Sequence, residues 1–218
     1  GLGGGSGFTS SWLAPAANGY LRISGSIGAY PTNIPFTESD GFLQRVGSPS
    51  LAMEAERDLD IANVDIDLDS GLSYYMSFAV KLNGTSNSLN AQVALLDSNS
   101  GEKILAGVHD GNWSINGIIG DSSSAVTWFN KTYFVIVRVD AKQGSNDVVS
   151  LRFYDSSNDL VETSDNDQWH IQVNAADGHN AFDKLFIKAG ANGTTLGSHF
   201  VEIDEIRVGE SWSDVTGL

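Results

Sequence analysis

Apolar and polar residues alternate in short runs along this chain, and turn-forming residues separate the runs. Over Thr132–Asp140, Val135, Val137 and Val139 alternate with Phe134, Ile136 and Arg138. Both faces stay mostly apolar until Arg138, which predicts a strand lying centrally in a packed sheet. The same reading predicts strands over Leu72–Leu82, Ala91–Leu96, Lys103–His109, Trp113–Ile119, Val148–Tyr154, Trp169–Val173, Lys184–Lys188 and His199–Val208. Asn-Gly and Asp-Gly pairs suited to positive φ punctuate the chain, among them Asn18-Gly19, Asp40-Gly41, Asn83-Gly84, Asp110-Gly111 and Asp177-Gly178.

Two hairpins follow. Ile104–His109 and Trp113–Ile118 flank Asp110-Gly111-Asn112, and Phe134–Val139 and Val148–Phe153 flank the polar loop Lys142–Asn146. No long amphipathic helix is found. Ala52–Leu59 carries helix-forming residues, but Leu51, Met53 and Ala55 alternate, so a strand is expected. In the closing segment the apolar series runs Val201, Ile203, then Ile206, Val208. This slip of one residue predicts a β-bulge at Asp204-Glu205. Many short strands between regular turns predict an all-β chain folded as a two-sheet antiparallel β-sandwich or jelly roll with almost no helix.

Composition narrows the class. The chain has 218 residues with even composition, and one domain over residues 1–218 is expected, with Gly1–Gly7 as a flexible start. It opens without methionine, so it reads as a mature or trimmed segment of something longer. Twelve Lys and Arg stand against 27 Asp and Glu, a formal charge of -15. Such a chain repels phosphate backbones, so no nucleic-acid partner is expected. No apolar run is long enough to predict a membrane span. The absence of cysteine removes disulfides, thiol nucleophiles and cysteine–zinc sites.

Several stretches resemble bacterial laminin-G-like domains of the concanavalin A-like superfamily. Tyr133-Phe-Val-Ile-Val-Arg-Val-Asp140 followed by Asp147-Val-Val-Ser-Leu-Arg-Phe153 resembles their paired strands. Phe200-Val-Glu-Ile-Asp-Glu-Ile-Arg-Val-Gly-Glu-Ser-Trp-Ser-Asp-Val-Thr216 is similar to their closing strand and tail. Gly3–Trp12 resembles their Gly-rich opening, and Ser73–Phe78 an early central strand. The first strand usual in such domains is missing, so it is expected to be trimmed or supplied by a neighbour. The resemblance implies a concanavalin A-like jelly roll in a secreted or cell-surface protein, part of a larger multidomain chain. It also implies sugar binding, as the commonest suggestion for such domains.

Candidate chemistry concentrates in three places. Glu202-Ile-Asp204-Glu205 is similar to the carboxylate strand of a glycoside hydrolase family with this fold, but Ile206 and Arg207 stand where its second glutamate belongs. The resemblance also implies a structural calcium with Asp204 as a ligand, because related jelly rolls use a carboxylate of the last strand in this way. Asp65-Ile-Asp67-Leu-Asp69-Ser-Gly71 fails the EF-hand template, and alternation with Val64, Ile66 and Leu68 predicts a strand with an acidic exposed face.

The histidines, His109, His170, His179 and His199, have no zinc spacing. Gln168-Trp169-His170 and Phe186-Ile-Lys-Ala-Gly190 echo alginate-lyase motifs, without the arginine-rich strand that accompanies them. Trp113, Trp128 and Trp169 adjoin turns or polar loops, and Trp12 and Trp212 are expected to pack.

The reading that results is a non-catalytic carbohydrate-binding module. Its expected partner is a neutral extracellular polysaccharide, held on Trp113, Trp128 and Trp169 by stacking against sugar rings. The alternatives are a structural or adhesive surface domain with protein partners, and a glycosidase or lyase.

Overall fold

The computed structural model describes residues 20–24, 42–46, 53–59, 66–83, 89–97, 103–117, 122–125, 131–155, 160–161, 169–174, 181–191 and 200–218. Gly1–Gly7, Trp12, Trp128, His179 and His199 lie outside them. In chain order the strands begin with β1 (Tyr20–Ser24), β2 (Phe42–Val46), β3 (Met53–Asp58), β4 (Ile66–Asp67) and β5 (Ser73–Asn83). Then come β6 (Leu89–Leu96), β7 (Lys103–His109), β8 (Asn112–Gly117), β9 (Ser122–Ala125) and β10 (Thr132–Asp140). The last are β11 (Val148–Tyr154), β12 (Ile171–Asn174), β13 (Ala181–Phe182), β14 (Lys184–Ala191) and β15 (Phe200–Gly209), followed by a helix, α1 (Trp212–Thr216).

Two antiparallel sheets face each other. A seven-stranded sheet runs β1-β2-β15-β5-β10-β11-β12, and a six-stranded sheet runs β3-β14-β6-β7-β8-β9. A small pair, β13-β4, stands apart. The core between the sheets is built by alternation. Met76, Phe78 and Val80 from β5 and Val135, Val137 and Val139 from β10 meet Ala91, Val93 and Leu95 from β6 and Leu185 and Ile187 from β14. As predicted, β10 is central, paired on both sides by β5 and β11.

Within the stretch expected to be a strand, Met53–Asp58 forms β3, and the β7–β8 hairpin turns through Asp110 (φ 44) and Gly111 (φ 73). Positive φ at both central residues is the geometry of a type I′ turn, whose twist matches that of the flanking strands. The acidic stretch differs from expectation. Among the described residues of the stretch only Ile66 and Asp67 are strand, and a turn follows. Ile66 and Leu68 are buried as the alternation predicts, but Asp67, at the end of β4, and Asp69, in the turn after it, cap loop amides. Asp67 Oδ1 accepts the Asp69 amide at 2.9 Å, and Asp69 Oδ1 accepts the Gly144 amide at 3.3 Å.

The predicted bulge is present. Asp204 pairs with Ala79 and Arg207 with Ser77, so Glu205 and Ile206 oppose the single residue Phe78. Glu205 takes φ 51, the left-handed region that a bulge usually gives to glycine. Its carboxylate lies 3.2 Å from Arg207 Nη2. A non-glycine residue there carries strain of about 1–2 kcal/mol, and a β-branched one carries more. Glu205→Val should therefore be less stable than Glu205→Gly by about 1–2 kcal/mol in urea unfolding. Equal midpoints for the two would contradict the bulge geometry.

Helix α1 was not foreseen, although its signal is local. Ser211 Oγ accepts the Asp214 amide at 3.2 Å and Asp214 Oδ2 accepts the Ser211 amide at 2.9 Å, a reciprocal capping box. Gly217 at φ 73 closes the helix. The Ser77 hydroxyl donates to the Val215 carbonyl at 2.8 Å and ties the helix to β5. Trp212 then packs with Ala79, Phe134, Ile136, Tyr154 and Leu160 on the outer face of the seven-stranded sheet.

Candidate functional site

The outer face of the six-stranded sheet is divided by register. Each strand sends alternate residues away from the core. At one end Ala94, Leu96 and Phe186 form a small buried apolar cluster with Leu105 against it. One row along, Glu54 pairs with Lys188, Lys188 with Gln92, Gln92 with Gly107 and Gly107 with Ser114. In the row beyond, Gly190 pairs with Asn90, and His109 with Asn112.

Asn90, Gln92 and Ser114 are buried at 0%, 1% and 5% exposure, although they point away from the core. The Ser114 hydroxyl has no hydrogen-bond partner among the described residues. Gly107, at φ 134, lets β6 and β7 close up between Gln92 and Ser114, because any Cβ would run into the Ala91 carbonyl oxygen. The result is a floor of amide and hydroxyl groups with glycines among them, beside an apolar patch that contains an aromatic ring.

Charged groups stand at both ends of this face: Lys184 beside the apolar cluster and His109 in the row beyond the floor. Lys184 donates to Glu56 Oε2 at 3.1 Å, and that hydrogen bond, with the charge of Glu56, holds its ammonium above the usual lysine range. His109 Nδ1 lies 2.8 Å from Asn90 Oδ1, so the ring donates there. The Asp110 amide donates to the same oxygen at 3.3 Å. A carboxamide, a hydroxyl, an imidazole and an ammonium thus lie on adjacent strands, the first two buried and those of His109 and Lys188 half-buried. Such an array can bond several hydroxyls of an extended ligand at once.

Of the tryptophans expected to bind sugar, Trp113 and Trp169 lie on opposite faces of the seven-stranded sheet. Trp113 is fully buried between the sheets, which corrects the expectation that it is exposed. It stacks on Phe153 (4.5 Å, 10°) and meets Tyr133 edge-on (5.7 Å, 71°). Its place after the Asp110-Gly111 turn suggested exposure, but alternation with Ser114 turns it inward. Trp169 is half-buried and packs on the outer apolar cluster of the seven-stranded sheet. Trp128 lies outside the described residues.

His170, beside Trp169, stacks on Phe153 (4.0 Å, 13°), and its Nδ1 accepts the Phe153 amide at 3.3 Å. Burial and then the nearby Arg152 charge hold its pKa below the usual histidine value. Tyr154, buried and donating to the Val161 carbonyl, has its phenol pushed up to about 12 by desolvation. The two segments echoing lyase motifs fall on different sheets. Phe186–Gly190 lies on β14 of the six-stranded sheet, and His170 directly precedes β12 of the seven-stranded sheet.

Asp204 is 8% exposed on β15. Among the described residues no group of three or more His, Cys, Asp and Glu side chains comes together as a metal-binding set. The described residues therefore offer Asp204 no carboxylate-rich calcium cage. Glu202, the other carboxylate of the hydrolase-like pattern, is buried with Lys81 Nζ at 3.6 Å from Oε2. Among the described residues no helix is long and apolar enough to cross a membrane.

No family model matches the sequence, and no curated protein does. Solved structures do match. The endo-beta-1,4-glucuronan lyase of the fungus Trichoderma reesei aligns at 12% identity over 96% of this chain and 95% of its own, with a TM-score of 0.50. The Cellulose induced protein Cip1 aligns at 11% identity over 92% and 90%, with a TM-score of 0.53. The fold is a two-sheet antiparallel β-sandwich. At these identities the likeness carries the two-sheet architecture alone.

Gln92, Ser114, Asn90 and Lys188 were missed as site residues. In Leu89–Leu96, Asn90 and Gln92 alternate with Leu89, Ala91, Val93 and Leu95, although the whole strand is buried. A polar phase inside a buried strand was the available signal.

Proposed function

We propose that this domain is a non-catalytic polysaccharide-binding module of the laminin-G-like kind. We place it in a secreted or cell-surface protein of bacterial origin, and place the glycan along the outer face of the six-stranded sheet. The observation that carries this reading is the cross-strand row Lys188–Gln92–Gly107–Ser114. Burying a hydroxyl such as Ser114 without a partner costs about 1–3 kcal/mol. A hydroxyl-rich ligand that displaced what covers the row would supply that partner. The Phe186–Leu105 patch beside it would meet the apolar face of a sugar ring.

The net charge of -15 favours a neutral glycan, since uronic or sulfated chains would meet a repulsive field. Two proteins of this fold are named for a glucuronan lyase activity and for induction by cellulose, which agrees with polysaccharide as the ligand class.

A second reading, polysaccharide lyase, has one observation in its favour: His109, held by Asn90, stands on the same face. One experiment separates the two. Native electrophoresis through gels of neutral and acidic polysaccharides should retard the protein in at least one neutral gel. The same mixtures should release neither reducing ends nor ultraviolet-absorbing unsaturated sugars. Unsaturated product that disappears in His109→Ala would establish the lyase, and no retardation in any gel would remove both readings. The gels are run with calcium and with chelator, because a calcium on Asp204 would act through native-state stability rather than by touching the glycan.

A further inference from the structure

On the other sheet, where α1 lies against β5, a surface pocket of about 270 Å³ is lined by Leu72, Ser73, Tyr75, Glu210, Ser211 and Trp212. The rings of Tyr75 and Trp212 stand at 90° with centroids 6.5 Å apart, so the pocket has a right-angled aromatic corner. Glu210 is exposed and brings a carboxylate to the rim, and Leu72, 53% exposed, extends the apolar wall.

Among the described residues no lysine or arginine lines the pocket. Arg138 pairs in register with Tyr75, but its Nε is committed to Asp140 Oδ1 at 2.6 Å, and the Ser73 hydroxyl donates to the same oxygen at 2.6 Å. The pocket therefore combines two aromatic rings, that of Trp212 only 6% exposed, with an apolar wall and a carboxylate, on a molecule of net charge -15. Aromatic faces attract cations through the ring quadrupole, and do so most strongly where water is partly excluded. The carboxylate adds attraction for cations and repels anions.

We propose that this pocket binds a small alkylammonium cation, independently of the glycan reading for the opposite sheet. Two sources share that chemistry: a quaternary ammonium headgroup and the protonated amine of an amino sugar. The volume suits one such group rather than a drug-sized ligand.

The test is a titration followed by backbone amide NMR. The probes are choline chloride, glucosamine hydrochloride and 3,3-dimethylbutanol, the last a neutral analogue of choline shape. The expected result is saturable shifts at residues 72–75 and 210–212 with at least one of the two cations, at a Kd of about 1–10 mM. The neutral analogue should bind markedly more weakly. Whichever cation binds more tightly identifies the source. Glu210→Gln and Tyr75→Leu should each weaken binding about fivefold or more. Glu210 is exposed, so its variant keeps the test valid even if Tyr75→Leu perturbs the sheet. The proposal is overturned if neither cation shifts these residues, if the neutral analogue binds as tightly, or if Glu210→Gln binds like the wild type.

Discussion

Trp113→Ala should lower the unfolding free energy by about 3–5 kcal/mol, the range for deleting a fully buried large aromatic side chain. The indole has no exposed surface, and it is the inner member of a stack in which Phe153 lies 4.5 Å away and His170 lies 4.0 Å beyond Phe153. This column runs from the exposed His170 into the core, where β11 and β12 of one sheet meet β8 of the other. Trp113→Phe keeps an aromatic face for Phe153 and should cost clearly less than the alanine variant. Urea unfolding of the three proteins is the check. A Trp113→Ala protein as stable as the wild type but deficient in glycan binding would mean that the indole is a surface platform after all.

Gly107→Ala is expected to cost roughly 2–4 kcal/mol, from a backbone conformation that L residues rarely adopt and from overpacking. Gly107 has φ 134, and an added Cβ would meet the Ala91 carbonyl oxygen and come within 3.1 Å of the Gln92 Cα. Those are backbone atoms of the paired strand and cannot rotate aside, so β6 and β7 would have to separate. Gly71 is an internal control, since it too has positive φ (74) but nothing lies within 4 Å of its missing Cβ. Gly71→Ala should thus lose only the conformational part, about 1 kcal/mol. Equal losses in thermal or urea unfolding would show that the close approach at Gly107 is not real.

The strands are legible in the chain because alternation and turn chemistry are local. Thr132–Asp140 and Val148–Tyr154 carry their own period and their own boundaries, and both form over those residues. The bulge at Asp204-Glu205 is legible for the same reason, since Val201, Ile203, Ile206 and Val208 cannot all face the core without an extra residue between them. Helix α1 is too short to show a helical period, and its signal is confined to the capping box in Ser211-Trp-Ser-Asp214.

The candidate face was not legible. Lys188, Gln92, Gly107 and Ser114 come from four strands, and only the pairing register puts them in one row. The tryptophan expectation for Trp113 went wrong where closeness to a turn was given more weight than side-chain alternation within the strand. Trp113 and Ile115 alternate with Ser114, and that pattern already assigns the indole to the core.

The central claim is that the outer face of the six-stranded sheet, and not the face of the seven-stranded sheet where Trp169 packs, holds the glycan. The most direct measurement is the affinity of Lys188→Ala, Gln92→Ala and Trp169→Ala for the polysaccharide that retards the wild type, with melting curves confirming that each variant is folded. Losing a hydrogen bond from a charged or buried polar group costs about 1.5–3 kcal/mol, so Lys188→Ala and Gln92→Ala should each bind roughly tenfold more weakly or worse. Trp169→Ala should bind as the wild type does. Full affinity in Lys188→Ala and Gln92→Ala together with lost binding in Trp169→Ala would contradict the account and move the site to the other sheet.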